Sequence, residues 1–487
     1  MKKAALHNLG CKVNSYETEA MQQMLENAGY EIVPFGEWAD VYVINTCSVT
    51  NMADRKSRQM LHRAKKQNPN SVVVAAGCYV QTKEAEAVLD EAIDIIIGNN
   101  KKHELVARID EFLTQSTAKE EVWKETLYQK KHPVLENKQE FEICEKSNAQ
   151  KIPLEDQTAD KLSQIEQSSH RKVEAVLDIN KEKPEFEELY LEKPSEHTRA
   201  FLKVQDGCNQ FCSYCIIPFA RGRVRSRKPE SVLEEVNRLA ENGYKEVVLT
   251  GIHLSSYGIE NGESLLHLIQ QIHEVEGIQR IRLGSLEPKI VTETFASEIA
   301  KLPKICPHFH LSLQSGCDET LKRMNRKYTT EEYAKGCEIL RKYFTHPAIT
   351  TDVIVGFPAE TEAEFETTKA FLEQIHFYEM HIFKYSKREG TKAAVMKEQI
   401  PESIKQKRSA ELLLLGEQMS NEFRQYYLGT NQEVLFEERC EIEGISYFVG
   451  YTKEYVKVAK RSDSSLENLL IEGKLTKAIN NEIYLME

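Results

Sequence analysis

Cys208-Asn209-Gln210-Phe211-Cys212-Ser213-Tyr214-Cys215 sets three cysteines in a C-x3-C-x2-C run directly after Phe201–Gln205, an apolar stretch that reads as a β-strand. Three thiolates on one short loop can converge on a single inorganic centre. Structural zinc is one candidate, but it calls for a fourth Cys or His, and none lies nearby in sequence. A 4Fe-4S cube suits three thiolates better, because full protein ligation takes four cysteines and a missing one leaves an iron open to a small molecule.

Around this loop lies a chain of 487 residues with 11 cysteines, net charge -12, 41% hydrophobic and 29% charged residues. That length predicts about three domains, and the composition excludes wholesale disorder and collagen-like repeats. The acidic balance excludes uniform attraction to nucleic acid, so any such site must be local. Met1 to Asn8 begins with basic residues, yet His7, Asn8 and Lys12 interrupt any apolar signal core. The longest apolar runs, such as Val72–Ala76 and Ile93–Ile97, fall well short of the roughly 20 residues a membrane span needs. A cytoplasmic protein without membrane contact is expected; in that compartment disulfides are rare and metal ligation becomes the leading role for clustered cysteines.

Upstream, Ala4–Leu6, Val41–Asn45, Val72–Ala76 and Ile93–Ile97 read as strands, alternating with helical patterns at Ser15–Ala28, Ala53–Gln67, Lys83–Asp90 and His103–Leu113. This alternation predicts, for residues 1–118, an open parallel α/β sheet with helices on both faces. Cys11, Cys47 and Cys78 each follow the C-terminal end of a strand, the edge where such sheets bind ligands. They form a second candidate metal centre; three buried cysteines acting as small apolar residues is the alternative. Residues 119–197 break the rhythm and read as a charged linker or insertion; residues 119–196 hold 13 basic and 19 acidic side chains and no glycine.

From 198 to 428 strand-then-helix units return. The strands Phe201–Gln205, Val247–Thr250, Ile281–Leu283, His308–Leu313, Thr350–Val355 and Tyr378–Phe383 predict a (β/α)6 partial barrel with its chemistry at the C-terminal strand ends. Residues 429–487 carry short alternating runs that read as a small β-barrel.

The cysteine loop, with Tyr214 as the aromatic before its last cysteine, resembles the signature of the radical S-adenosylmethionine (SAM) superfamily. The resemblance implies that SAM chelates the open iron of a 4Fe-4S cluster on Cys208, Cys212 and Cys215 and is cleaved to a 5′-deoxyadenosyl radical. Candidate SAM contacts are then Tyr214, Gly251 in Leu-Thr-Gly-Ile-His, Ser285 and Glu287 in Gly-Ser-Leu-Glu-Pro, and Val355 and Gly356 at the end of the fifth strand. Solvated loops and simple turns explain the same residues. His310, on the fourth strand, is unassigned.

Four basic clusters stand out: Arg55 to Lys66 after Cys47; Arg221, Arg223, Arg225, Arg227 and Lys228 after the cysteine loop; Lys322 to Lys327; and Lys384 to Lys392. Each is by default a solvated face; together they suggest local surfaces able to follow phosphates.

Three modules in this order, with Leu9-Gly-Cys11-Lys-Val-Asn14, Ile44-Asn-Thr-Cys47-Ser-Val-Thr50, Ala76-Gly-Cys78 and Cys215-Ile-Ile-Pro218, are similar to the radical SAM methylthiotransferase family, and most like its threonylcarbamoyladenosine tRNA branch. This implies a second 4Fe-4S cluster on Cys11, Cys47 and Cys78, two SAM molecules per turnover, and a C-terminal RNA-binding TRAM domain. It also implies methylthiolation at C2 of a modified adenosine beside the tRNA anticodon, with an electron donor such as flavodoxin or ferredoxin and a sulfur source as partners. Isopentenyladenosine in tRNA and an aspartate of a ribosomal protein are the alternative substrates. Arg221, Arg223, Arg225, Arg227 and Lys228 are the candidate RNA contacts. Ala359 stands where the family's Gly-Phe-Pro-Gly-Glu-Thr pattern has glycine.

Overall fold

The computed structural model describes residues 1–115, 172–191 and 198–487. Its first layer has six strands, β1 (Lys3–Asn8), β2 (Glu31–Ile32), β3 (Val41–Thr46), β4 (Val72–Gly77), β5 (Ile95–Ile97) and β6 (Val173–Ala175), ordered β2-β1-β3-β4-β5-β6 and all parallel, with β3, β4 and β5 buried at every position. Strands buried on both faces read as continuous apolar runs, and the sheet shows why. Val41, Val43, Val72 and Val74 pack with Met21 and Leu25 of α1 (Lys12–Asn27) on one face. Tyr42, Ile44, Val73 and Ala75 pack with Met60, Leu61 and Ala64 of α2 (Asn51–Gln67) on the other. Two short helices, α3 (Cys78–Thr82) and α4 (Glu84–Leu89), follow β4, and α5 runs over 105–115.

The strand β6 departs from the sequence reading. It falls within the stretch expected to be a linker, 119–197, but pairs with β5 through Ile95–Val173 and Ile97–Ala175. Leu189 and Leu191 then bury against Tyr16 and Ala20 of α1. The described part of this segment, 172–191, is therefore built into the first domain; the remainder of the expected insertion lies outside the described residues.

Six parallel strands form the central partial barrel: β7 (Arg199–Asp206), β9 (Glu246–Gly251), β10 (Arg280–Leu283), β11 (His308–His310), β12 (Ala348–Val355) and β13 (Glu379–Lys384). Single bridges at Ile281–Ile305 and Leu286–Leu311 join its two sheets. A short strand β8 (Arg225–Ser226) pairs antiparallel with the end of β7, so the cysteine loop and α6 (Ile217–Arg221) lie within a hairpin-like excursion. The C-terminal barrel is closed in the order β14-β15-β16-β18-β17, from β14 (Asn431–Ile442), β15 (Ile445–Tyr451), β16 (Lys457–Lys460), β17 (Leu470–Ala478) and β18 (Ile483–Met486).

This small barrel caps the N-terminal ends of the central strands. Arg280 donates to the Glu433 carboxylate and to the Tyr451 carbonyl, Arg282 donates to the carbonyl of Lys453, and Arg199 donates to Glu437 and the Tyr455 hydroxyl. The opposite ends of the strands stay available for chemistry. Among the described residues no helix is long and apolar enough to cross a membrane.

Candidate functional site

Cys11, Cys47 and Cys78 stand at the C-terminal ends of β1, β3 and β4, three neighbours in the sheet. The loops approach closely: a Cβ on Gly10 would lie 3.1 Å from the Cys47 sulfur. Asn14, on the first turn of α1, ties two of them by donating to the Leu9 and Thr46 carbonyls at 2.7 and 3.1 Å. Asn99 donates to the Cys78 sulfur at 3.5 Å. Burial pushes the Cys47 thiol up to about 11, and the nearby thiols of Cys78 and Cys11 act in the same direction. Burial also raises the Cys11 thiol; crowded sulfurs of this kind are matched by the positive charge of an iron cluster, so this donor set fits one.

The second thiol group is pinned from several sides. Gly207 opens the loop with φ +71°, and a Cβ there would sit 1.9 Å from the Arg223 carbonyl oxygen, so only glycine fits. Ser213 donates its N–H to the Met324 carbonyl at 2.9 Å, and Asn325 donates to the Phe211 carbonyl at 2.8 Å. The Gln210 N–H reaches the Cys208 sulfur at 3.4 Å and the Arg326 guanidinium reaches the Cys212 sulfur at 3.2 Å. Burial and the charge of Cys212 push the Cys215 thiol up to about 12. Charge-assisted donors aimed at sulfur again suit thiolates bound to a cluster.

Of the SAM candidates, Tyr214 packs edge-on against Phe357, with ring centroids 6.4 Å apart. Glu287 receives Gln210 Nε2 at 3.1 Å and faces His253 at 3.2 Å and Arg326 at 3.3 Å. Burial works to raise its carboxyl, but the His253 bond and the charges of Arg326 and Lys289 outweigh this and hold it below the usual range. Gly251 and Ser285 line a cavity of about 610 Å³ in the barrel interior, which Cys11 also lines. Val355 and Gly356 do not line this cavity. The Val355 side chain is buried in the barrel core, and a Cβ at Gly356 would meet Lys405 at 2.3 Å. Their neighbour Ile354 packs beside Tyr214 instead.

The basic strip after the loop also needs correction. Arg221, Arg225 and Arg227 are buried, leaving only Arg223 and Lys228 exposed. Arg221 donates to both Glu17 oxygens at 2.8 and 2.9 Å, to Asn14 at 2.7 Å and to Asp206 at 3.1 Å. Lys203 bridges the same two carboxylates at 2.7 Å each, and Lys102 adds a contact to Glu17 at 3.2 Å. Burial opposes ionisation of Glu17, yet Arg221, Lys102 and Lys203 hold it well below the ordinary carboxyl range. This network docks α1, which begins beside Cys11, onto α6, which follows Cys215. A second tie runs from Arg388 to Asp54 and Ser48, one residue past Cys47. Arg326, read as part of an exposed cluster, is likewise buried against Cys212 and Glu287.

His310 proves to be a cavity residue. It faces Asp352 at 3.3 Å and stacks on His381 with centroids 5.8 Å apart. Lys12, Arg199 and Arg282 line the same cavity. Their sequence contexts, on three separate elements, carried no sign that they would meet.

A three-thiolate loop after the first strand of a six-stranded partial barrel, with a buried carboxylate beside it, defines the radical S-adenosylmethionine enzymes. The Radical SAM superfamily matches residues 202–372, and the Uncharacterized protein family UPF0004 matches residues 3–98. The threonylcarbamoyladenosine tRNA methylthiotransferase MtaB of Bacillus subtilis (strain 168) is 38% identical over 481 residues, covering 98% of this chain and 94% of its own length. The chain belongs to the radical SAM methylthiotransferase family. The tRNA-2-methylthio-N(6)-dimethylallyladenosine synthase of Finegoldia magna (strain ATCC 29328 / DSM 20472 / WAL 2508) is 30% identical, over 96% of this chain and 90% of that one. Among solved structures, the radical S-adenosylmethionine methyltransferase TsrM of Kitasatospora setae aligns at 15% identity over 81% of this chain and 74% of that one, with a TM-score of 0.49. Family membership implies a 4Fe-4S cluster and SAM.

Proposed function

We propose that this enzyme converts N6-threonylcarbamoyladenosine, beside a tRNA anticodon, to its 2-methylthio derivative. One observation carries the reading: Cys11, of the first thiol group, lines the same cavity as Gly251 and Ser285 at the C-terminal ends of the barrel strands. An unactivated aromatic C–H needs a radical to break it and the product needs a sulfur donor; two thiol groups at the C-terminal strand ends, the first of them opening on this cavity through Cys11, match the two demands. Identity of 38% to a threonylcarbamoyladenosine enzyme, against 30% to a dimethylallyladenosine enzyme, favours the first substrate.

In this reading Cys208, Cys212 and Cys215 hold the cluster that binds SAM, and Cys11, Cys47 and Cys78 hold a second 4Fe-4S cluster. When bound, these groups supply the electron for SAM cleavage and the sulfur for the product, with two SAM molecules used per turnover. The Arg326 guanidinium offsets thiolate charge at Cys212, while Glu287, set by His253 and Gln210, offers an acceptor for the SAM amino or ribose groups. Gly251 and Ser285 leave room at the strand ends. For tRNA, Arg223 lies over the Phe211 ring at 4.5 Å, and Phe219, 49% exposed, stands edge-on to Phe211. A cation beside an exposed aromatic ring is a surface on which unstacked bases and phosphates both settle. Lys228, also exposed, adds a second cation, and the C-terminal barrel, at the opposite end of the central strands, is a separate candidate RNA surface. A flavodoxin or ferredoxin as electron donor, a separate sulfur source and a cytoplasmic location complete the proposal.

Nucleoside mass spectrometry of tRNA from cells with and without the gene tests it. The methylthio form of threonylcarbamoyladenosine is expected to vanish on deletion and return with the intact gene. Loss of methylthio-isopentenyladenosine instead would overturn the choice of substrate, and no change in either nucleoside would remove tRNA as the substrate.

A further inference from the structure

Five charged side chains line the barrel cavity: Lys12, Arg199 and Arg282 against Asp352 and Glu379. Four of them have ionic or imidazole neighbours that answer them. Arg199 meets Glu437 at 2.6 Å, Arg282 meets Glu246 at 2.7 Å, and Asp352 meets His310 at 3.3 Å. Glu379 lies near His381 and Arg424. Lys12 differs. It is exposed to the cavity, and among the described residues its ammonium makes no hydrogen bond or ion pair. Arg199 and Arg282 line the same cavity beside it.

An unmatched ammonium inside a cavity is a place for an anion. The threonylcarbamoyl substituent ends in a carboxylate, whereas a dimethylallyl substituent has no charge at all. Lys12 also adjoins Cys11, so an anion held there lies close to the sulfur-bearing side of the cavity, where the base must present C2. We propose that Lys12 receives the carboxylate of the threonylcarbamoyl group and selects this modified adenosine by charge. The inference rests on the threonylcarbamoyladenosine reading above.

A phosphate of the RNA backbone offers the same charge, and the test separates the two. Binding of reconstituted holoenzyme is measured to three anticodon stem-loops, bearing threonylcarbamoyladenosine, its neutral carboxamide, or unmodified adenosine. The wild type is expected to favour the acid over the carboxamide by about 10- to 100-fold, the range of one hydrogen bond to a charged group. Lys12→Met, with iron content matching the wild type, is expected to abolish that preference, and Lys12→Arg to retain most of it. Equal weakening toward all three stem-loops in Lys12→Met would assign Lys12 to a phosphate and overturn the proposal, as would a preference that survives the substitution. Turnover separates the underlying reading: a wild-type enzyme that methylthiolates only an isopentenyladenosine stem-loop refutes the substrate, whereas threonylcarbamoyladenosine turnover with undiminished selectivity in Lys12→Met refutes only the role of Lys12.

Discussion

Arg221→Met removes the one guanidinium that joins α6 to α1, and its cost can be worked from the contacts. Glu17 loses two hydrogen bonds, at 2.8 and 2.9 Å, and Asn14 loses one at 2.7 Å. Both carboxylates keep Lys203 at 2.7 Å, and Glu17 also keeps Lys102 at 3.2 Å. Breaking a buried ion pair by deleting one partner costs about 3–5 kcal/mol. With an ammonium still on each carboxylate, the loss belongs at the lower end, about 3 kcal/mol. Because Arg221 spans the contact between first domain and barrel, that loss falls on their docking, and opening of the contact becomes about 100-fold more frequent. Cys78 reports it: the thiol is buried under α6, where Asn99 donates both to its sulfur and, at 2.8 Å, to the Ala220 carbonyl. Alkylation of the apo protein, read residue by residue by mass spectrometry, is expected to accelerate at Cys78 by about two orders of magnitude. Cys337, fully buried inside the barrel domain, should keep its rate. Less than a threefold change at Cys78 would refute the network as the clamp, and a parallel rise at Cys337 would mean global unfolding.

Gly207→Ala forces a methyl group against the Arg223 carbonyl, 1.9 Å away on a backbone that cannot yield cheaply; the reconstituted variant is expected to lack one cluster's worth of iron and to lose SAM cleavage, and full iron content with normal cleavage would count against it. The His103 ring bonds Glu187 at 2.9 Å, and that bond raises the His103 pKa above its ordinary 6.5. Its contribution is thus complete below pH 6.5 and fades as pH rises through the raised value; because the ring is half exposed, it amounts to less than about 1 kcal/mol. Protease cleavage within 172–191, normalised to an unfolded substrate, should be faster at pH 8 than at pH 6, and His103→Gln should erase the difference.

The parallel sheets were legible because strands buried on both faces read as apolar runs, as Val41–Ile44 and Val72–Ala76 do. The cysteine positions followed from the same logic: once the strands are located, their C-terminal ends are too. β6 was hidden because three residues within a charged stretch carry no period, and pairing with β5 is decided by the sheet. β17 carries little sequence signal for a related reason, since Glu472, Lys474 and Lys477 face solvent and leave little apolar alternation. Burial of Arg221, Arg225 and Arg227 could not be read locally, because the partner Glu17 lies 204 residues away from Arg221. Arg280 and Arg282 sit on a strand for the same kind of reason, reaching a barrel more than 150 residues later. Ala359 adopts φ +63°, the left-handed conformation that the family's glycine would supply freely. For alanine it costs about 1–2 kcal/mol, which the surrounding loop must offset.

The position of β6 has a consequence for biosynthesis. A ribosome releases β5 about 75 residues before β6, so the growing sheet carries an uncovered edge while the intervening charged segment is made. An open parallel edge is a template for pairing with other chains, and charge nearby discourages such pairing. The nascent first domain therefore stays incomplete until residue 175 has emerged, and Glu17 waits longer still, hydrated and unpartnered by Arg221, until translation has reached the barrel.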